Sequence, residues 1–365
     1  MILNKKDCVG CGACYNVCEF DAIEMIYDAE GFIYPKINIE KCIKCNKCLK
    51  ACPVINKSDI NKKFNIYAGY DKNKNIVKMS SSGGLFRRFA RYILNQDGIV
   101  FGAGFDDDEL KLKHLEINSL DDLYKICGSK YIQSDTGDSY KKVKIALNEN
   151  KKILFSGTPC QISGLKSYLK YFGLDNNSNL FTIAIVCHGV PSTKIFNDYI
   201  NLLQNKYNSK VKNINFRNKL KGWQNYYVTI EFDDKKITQK ASKNSYMIGF
   251  LKNYYLRQAC YNCKFKETIK DIDILLGDAW GIKNNYPDIY NKNGTSILIV
   301  NSKQGEYLYK KKLKYLKLKK INYNFVKKYN SCIYKSVKGI IKRKNFFELY
   351  LSKGFKYVYI KFMRR

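Results

Sequence analysis

Cys8-x2-Cys11-x2-Cys14-x3-Cys18 is followed by Cys42-x2-Cys45-x2-Cys48-x3-Cys52, and the second run repeats the first at a constant offset of 34 residues. Eight of the fourteen cysteines fall in these two runs. Two residues between successive thiolates let one tight loop wrap a small inorganic core, with backbone N–H groups turned toward the sulfurs. Gly10 and Gly12 suit such a loop, because glycine tolerates positive φ. The fourth cysteine of each run points away and serves the other core.

This is the spacing of a bacterial dicluster ferredoxin. One [4Fe–4S] cluster is assigned to Cys8, Cys11, Cys14 and Cys52, and the other to Cys42, Cys45, Cys48 and Cys18. Pro53 follows Cys52 as the pattern asks, whereas Glu19 stands where a proline usually follows the first run. Disulfides would call for a secreted chain. The N-terminus, Met-Ile-Leu-Asn-Lys-Lys-Asp-Cys, has no apolar signal region. Zinc sites use pairs of cysteines rather than matched runs of four. The expected setting is therefore the cytoplasm of an anaerobe, and the expected role of the clusters is electron transfer.

The chain has 365 residues, 45% of them hydrophobic, enough for two or three domains with a sizeable core. No apolar run reaches membrane-spanning length, so no transmembrane segment is expected. Charge is +33, and residues 310–365 hold nineteen basic residues against one acidic residue, Glu348. A lysine-rich composition accounts for the body. The segment 311–365 reads as a basic C-terminal extension, either through the same lysine-rich composition or as a surface for an acidic partner, for peripheral contact with an anionic lipid surface or for nucleic acid.

Residues 1–57 form the expected dicluster module, and 56–63 a polar linker. Over 64–310 strand-like and helix-like stretches alternate. Strands are predicted at 65–70, 99–105, 152–156, 180–186, 213–216, 226–232, 272–276 and 295–300. Helices are predicted at 85–94, 137–147, 161–171 and 195–203. The pattern is that of an α/β domain with a mostly parallel sheet, preceded by a small α+β dicluster ferredoxin-like domain.

Two loops are rich in groups that meet a polar ligand. Ser81-Ser82-Gly83-Gly84 precedes a helix and reads either as a phosphate cradle or as a serine N-cap. Gly128-Ser129-Lys130-Tyr131-Ile132-Gln133-Ser134 is dense in donors, or is an ordinary surface turn. Cys160 and Cys187 each follow a predicted parallel strand, where ligands gather on α/β sheets. With Cys260-x2-Cys263 they make a four-thiolate set for a third [4Fe–4S] cluster or a structural zinc. Cys127 and Cys332 read as core cysteines, Cys127 being the reserve for Cys160.

Together these stretches resemble the coenzyme F-420 hydrogenase/dehydrogenase beta-subunit family, in its stand-alone bacterial form with a fused dicluster ferredoxin. The resemblance runs through 81–84, 128–134, Gly-Thr-Pro-Cys-Gln-Ile at 157–162 and Cys-His-Gly-Val-Pro-Ser at 187–192. It continues through Phe216-Arg217, Lys219, Gly222-Trp223, Arg257 ahead of Cys260 and Cys263, and Gly-Asp-Ala-Trp-Gly at 277–281. It implies a flavin, FAD or FMN, beside the third cluster. Ser81, Ser82, Gly83, Gly84, Gly128, Ser129, Lys130, Tyr131, Gln133 and Ser134 would contact that flavin, with Gly157 and Thr158 in the following loop. Asp278 and Trp280 would line the neighbouring face. Lys130, His188 and Asp278 are the expected catalytic groups: Lys130 to steady a reduced anionic ring, His188 to donate a proton.

The parts predict an oxidoreductase that converts single electrons from clusters into two-electron chemistry on a small organic substrate, a deazaflavin or a glycan precursor. An electron-donor protein, either a ferredoxin or a hydrogenase/dehydrogenase subunit, is the expected partner. The rivals are a non-catalytic relay subunit and a nucleic-acid-binding protein with structural clusters; nucleic acid is not the expected partner.

Overall fold

The computed structural model describes residues 3–60, 63–106, 110–267 and 270–364. Residues 1, 2, 61 and 62, which belong to the predicted module and linker, lie outside them. The strands are β1 (Ile23–Tyr27), β2 (Ile33–Ile37), β3 (Asn65–Asp71), β4 (Ile99–Phe105), β5 (Leu112–Ile117), β6 (Ile153–Gly157) and β7 (Leu180–Ile185). They continue with β8 (Val211–Asn218), β9 (Tyr227–Phe232), β10 (Lys236–Lys240), β11 (Ile274–Asp278), β12 (Ser296–Val300) and β13 (Leu316–Lys320).

Eight strands form one mixed sheet in the order β13-β3-β12-β11-β7-β6-β4-β5. Its centre, β11-β7-β6-β4, is parallel, and the remaining neighbours pair antiparallel. Following those pairings, β3, β4, β6, β7 and β11 all run one way, so five of the eight strands share a direction. Both faces are covered, and therefore β6, β7 and β12 are apolar at nearly every position. Alternation divides their side chains: Ile153, Phe155, Ile297 and Ile299 go to one core, and Leu154, Phe181, Ile183 and Leu298 to the other.

Helices 139–148 and 159–170 cover the first face with Tyr140, Val143, Ile162 and Leu165. The helix at 85–94 covers the second with Leu85, Phe89, Ala90 and Ile93. Each buried aliphatic or aromatic side chain contributes about 1.5–3 kcal/mol.

The N-terminal module is a β1–β2 hairpin with short helices at 13–16 and 47–50. Several of its apolar side chains join the cores of the body. Ala13, Val17, Ala51 and Val54 join the first core of the large sheet. Phe32 and Tyr34 join another, built on the three-stranded sheet β10-β9-β8.

The described part of the basic extension, 311–364, packs on the body. Leu316–Lys320 adds an edge strand to the main sheet beside β3. The helical stretch 340–358, kinked at Gly354, buries Phe346, Phe347 and Tyr350 against that other core. The lysine excess hid these apolar positions, which recur between the charges. Among the described residues no helix is long and apolar enough to cross a membrane.

Candidate functional site

The strands that share a direction end at Asp71, Phe105, Gly157, Ile185 and Asp278. The loops that leave these ends therefore rise from one edge of the sheet. Ser81–Gly84, Thr158–Cys160, Cys187–His188 and Trp280 all follow such ends, as the alternation of elements predicts.

Cys160, Cys187, Cys260 and Cys263 line one cavity, together with Val9, His188, Arg257, Lys266 and Cys332. Burial pushes the Cys160 thiol up to about 12, and the neighbouring Cys263 sulfur adds to this. The Cys187 thiol is also raised by burial, opposed by the ammonium of Lys266. Lys266 Nζ donates to the Cys187 carbonyl at 2.6 Å and to the Cys332 carbonyl at 2.8 Å. The Val190 N–H points at Cys260 Sγ, 3.4 Å away, and Thr158 Oγ1 lies 3.2 Å from Cys160 Sγ. Four half-buried sulfurs lining one cavity, with an N–H aimed at one of them and a lysine beside them, suit a cationic inorganic core, which supplies the charge that thiolates need.

Cys8, Cys11, Cys14 and Cys52 line a second cavity with Val9, Pro53 and Val54. The Cys11 and Cys14 thiols are raised by burial, and in each the other cavity sulfurs push the same way. Gly10 takes φ +65, as the loop was expected to require. A Cβ there would also meet the Arg257 guanidinium and the Ile33 carbonyl at 2.8 Å. Burial raises the Cys48 thiol, and Cys42 and Cys45 lie close enough to push it the same way. Glu19, next to Cys18, meets Lys47 Nζ at 2.6 Å and so ties the end of the first cysteine run to the helix that carries Cys48.

Val9 lines both cavities. The helix at 159–170 also joins them. It begins beside Cys160, and one turn on, a Cβ at Gly164 would lie 3.0 Å from both Cβ and Sγ of Cys11. One turn of helix rises about 5.4 Å. Arg257 completes the junction, buried with 1% of its surface exposed. Its Nε donates to the Cys8 carbonyl at 2.8 Å, Nη1 to Gln133 Oε1 at 2.9 Å and Nη2 to the Ile33 carbonyl at 2.7 Å.

The two donor-rich loops meet. Ser129 donates to Ser81 Oγ from its amide at 2.7 Å and from its hydroxyl at 3.0 Å. The rest of Ser81–Gly84 is stitched to the sheet: Gly83 N–H goes to Ser296 Oγ at 2.8 Å and Ser82 Oγ to the Thr295 carbonyl at 3.0 Å. The helix cap is Gly84 with φ +85, so neither serine serves as the N-cap.

Lys130 does not present its charge to a ligand. Its Nζ is turned into three carbonyls, of Ala103, Lys125 and Cys127, and burial lowers it to about 8. Tyr131 packs its ring on Phe216 and Phe250. Gln133 faces the N-terminal module through Arg257. Ser134 lies within hydrogen-bond distance of His114 Nδ1 at 3.0 Å and accepts from Gln161 Nε2. Gly157 ends β6, and the Thr158 N–H donates to Gln161 Oε1 at 3.0 Å. His188 lies on the thiol cavity with Nε2 2.6 Å from Asn253 Oδ1, its basicity lowered by burial.

Asp278 belongs to a cluster apart from His188. Its carboxylate accepts from Arg217 Nη2 at 2.7 Å and Trp223 Nε1 at 3.1 Å. Trp223 stacks on Trp280 at 5.1 Å between ring centroids, and Arg217 lies over the rings of Tyr226 and Trp280. Arg217 Nε is buried without a hydrogen-bond partner. Lys219 Nζ donates to the carbonyls of Val77 and Ser82 at 2.9 and 2.8 Å, and to that of Asn293. Burial lowers it to about 7, with Asp278 pulling the other way. Beside Gly128 a Cβ would meet nothing within 4 Å. The half-buried Trp280 indole, backed by Trp223 and Arg217, offers a flat aromatic face.

Comparison with known proteins bears on the same stretches. Residues 7–56 match the family described as a 4Fe-4S dicluster domain. Residues 150–324 match the family described as the C terminus of the coenzyme F420 hydrogenase/dehydrogenase beta subunit. A "Coenzyme F420-dependent sulfite reductase" of Methanocaldococcus jannaschii is 30% identical over 47% of this chain and 26% of its own length. A second protein of that organism, uncharacterized, is 28% identical over 46% of this chain and 54% of its own. The chain thus spans a quarter to about half the length of these curated relatives. A chain of the F420-reducing [NiFe] hydrogenase complex from Methanosarcina barkeri shares the fold, with TM-score 0.53, 16% identity, and coverage of 79% of this chain and 93% of that one.

Proposed function

We propose that the protein, whose residues 7–56 match a 4Fe-4S dicluster domain and residues 150–324 the C terminus of the coenzyme F420 hydrogenase/dehydrogenase beta subunit, is an iron–sulfur oxidoreductase that relays single electrons to a flavin acting on a small organic substrate. The observation that carries this reading is the junction at Val9, Gly164 and Arg257, where two thiol-lined cavities meet end to end. The order along the relay is then Cys42/Cys45/Cys48/Cys18, Cys8/Cys11/Cys14/Cys52 and Cys160/Cys187/Cys260/Cys263. The last of these opens at the carboxyl edge of the parallel strands, where α/β proteins hold cofactors.

A bound flavin would supply the exchange between one-electron carriers and a hydride acceptor or donor. Arg217, Trp280 and the Ser81–Ser129 contact are the groups suited to hold it. Trp280, backed by Trp223, offers a flat face. Arg217, buried and paired with Asp278, backs this face. Lys130 and Lys219 tie the surrounding loops by filling three carbonyls each, so both loops are stiff before any ligand arrives. The F-420 chemistry in the relatives' names makes a deazaflavin one substrate to test, and a glycan precursor the other.

The deciding experiment is anaerobic purification of the isolated chain, cofactor extraction with mass identification, and turnover with an artificial one-electron donor. About twelve irons, four per cubane, with FAD or FMN and turnover without partners are expected. Iron without flavin overturns the proposal in favour of a relay subunit.

A further inference from the structure

We propose that the surface around Cys45 docks an acidic one-electron carrier protein; this rests on the relay order given above. Two ends of the N-terminal module differ sharply. Cys8 and Cys11 are buried against the body, whereas Cys45 is exposed. The stretch 36–50 presents Lys36, Lys41, Lys44 and Lys50 to solvent against one exposed acid, Glu40. Lys47 is held by Glu19 and fixes the second end of the stretch.

Among these lysines stand large apolar side chains that nothing covers. Ile39 is 82% exposed and Ile43 60% exposed. The segment is nonetheless well held. Asn38 Oδ1 accepts from the amides of Glu40 and Lys41, at 2.9 and 3.4 Å, and sets the turn that displays Ile39. Asn56 Nδ2 donates to the carbonyls of Leu49 and Lys50 at 2.8 and 2.9 Å and holds the far side.

A stiff apolar centre inside a mainly positive rim, with the acids Glu40 and Glu24 (opposite Lys36) beside it, suits brief, oriented encounters. The charges steer the partner, and the dry centre lets two redox groups approach closely. Positive lysines select an acidic carrier, and a one-electron carrier is what a cubane can exchange with. This face is also the module's open end, so electrons arriving here enter at the first cluster of the relay.

The test uses the full chain, purified anaerobically, and a Lys41→Glu/Lys50→Glu variant. Cluster bleaching is followed with two donors: a reduced small acidic ferredoxin, and methyl viologen, a small cation that needs no docking site. With the ferredoxin, the bimolecular rate should fall about tenfold or more in the variant. In the unaltered chain that rate should also fall as salt rises. The viologen rate and the iron content should stay unchanged. A ferredoxin rate indifferent to both charge reversal and salt, with normal viologen bleaching, overturns the docking site. Clusters in the unaltered chain that neither donor can bleach overturn the relay reading instead.

Discussion

The guanidinium of Arg257 reaches Cys8 twice, Nε to its carbonyl at 2.8 Å and Nη2 toward its sulfur at 4.0 Å. A buried positive charge beside a ligand sulfur favours the reduced, more negative cluster. Coulomb's law with an effective dielectric of about 20 gives about 3 kcal/mol for unit charges about 5 Å apart, on the order of 100 mV for one electron. Arg257→Met should therefore lower the potential of the Cys8 cluster by that order, and Arg257→Lys by much less. An electron paramagnetic resonance titration reads this directly. Equal potentials in all three proteins would remove Arg257 from the relay.

Gly164 offers a test by a single methyl group. Alanine is preferred to glycine inside a helix by about 1 kcal/mol, so on local grounds Gly164→Ala should stabilise. The new methyl would press on Cys11 and on Tyr140 Oη at 2.9 Å. The expected outcome is loss of the Cys8/Cys11/Cys14/Cys52 cluster, or slowed transfer past it, from a helix that is itself more stable. Iron analysis and the rate at which the third cluster is reduced distinguish an undisturbed junction from a displaced one.

Cys263→Ser should remove one cubane of three and leave the dicluster signals intact. Iron should drop from about twelve to about eight per chain. A variant with full iron would mean that another thiol, Cys332 on the same cavity wall being the nearest choice, takes the place assigned to Cys263.

His114 predicts a pH limb of stability. Its ring stacks on Phe155 at 5.0 Å, with Nε2 3.1 Å from the Ser156 carbonyl and Nδ1 3.0 Å from Ser134 Oγ. This arrangement suits the neutral Nε2–H tautomer, and burial lowers the pKa to about 4. The unfolded chain binds its proton near 6.5. Between those values the unfolded state holds more protons, so stability falls as pH drops from about 6.5 to about 4. His114→Gln should flatten that limb in urea melts. An unchanged slope would mean that the ring is already charged in the fold.

The sequence was most legible where one element carries its own signal. The helix at 85–94 and strand β4 fall where periodicity put them. The repeated cysteine spacing pairs with a cavity that gathers Cys52 with Cys8, Cys11 and Cys14. What stayed hidden depends on pairs far apart in the chain. Gln133 reads as a ligand contact by its loop, yet it answers Arg257 and the carbonyl of Gly10. Lys130 looks available as a charge until three carbonyls close on it. Gly164 gives no signal in a helix pattern, because its reason is Cys11, more than 150 residues away. Strand β13 and the helical stretch 340–358 were masked by lysines on their solvent sides.

Arg343 grips the carboxylate of Glu30 and donates through Nε to the Leu256 carbonyl at 2.6 Å, while Ser192 Oγ donates to the Glu30 carbonyl at 2.5 Å. The two extremities of the polypeptide are thus buckled together over its middle. A dicluster arm so fastened has no swing. Conduction through it should ignore solvent viscosity, behaving as soldered wire rather than as a shuttle.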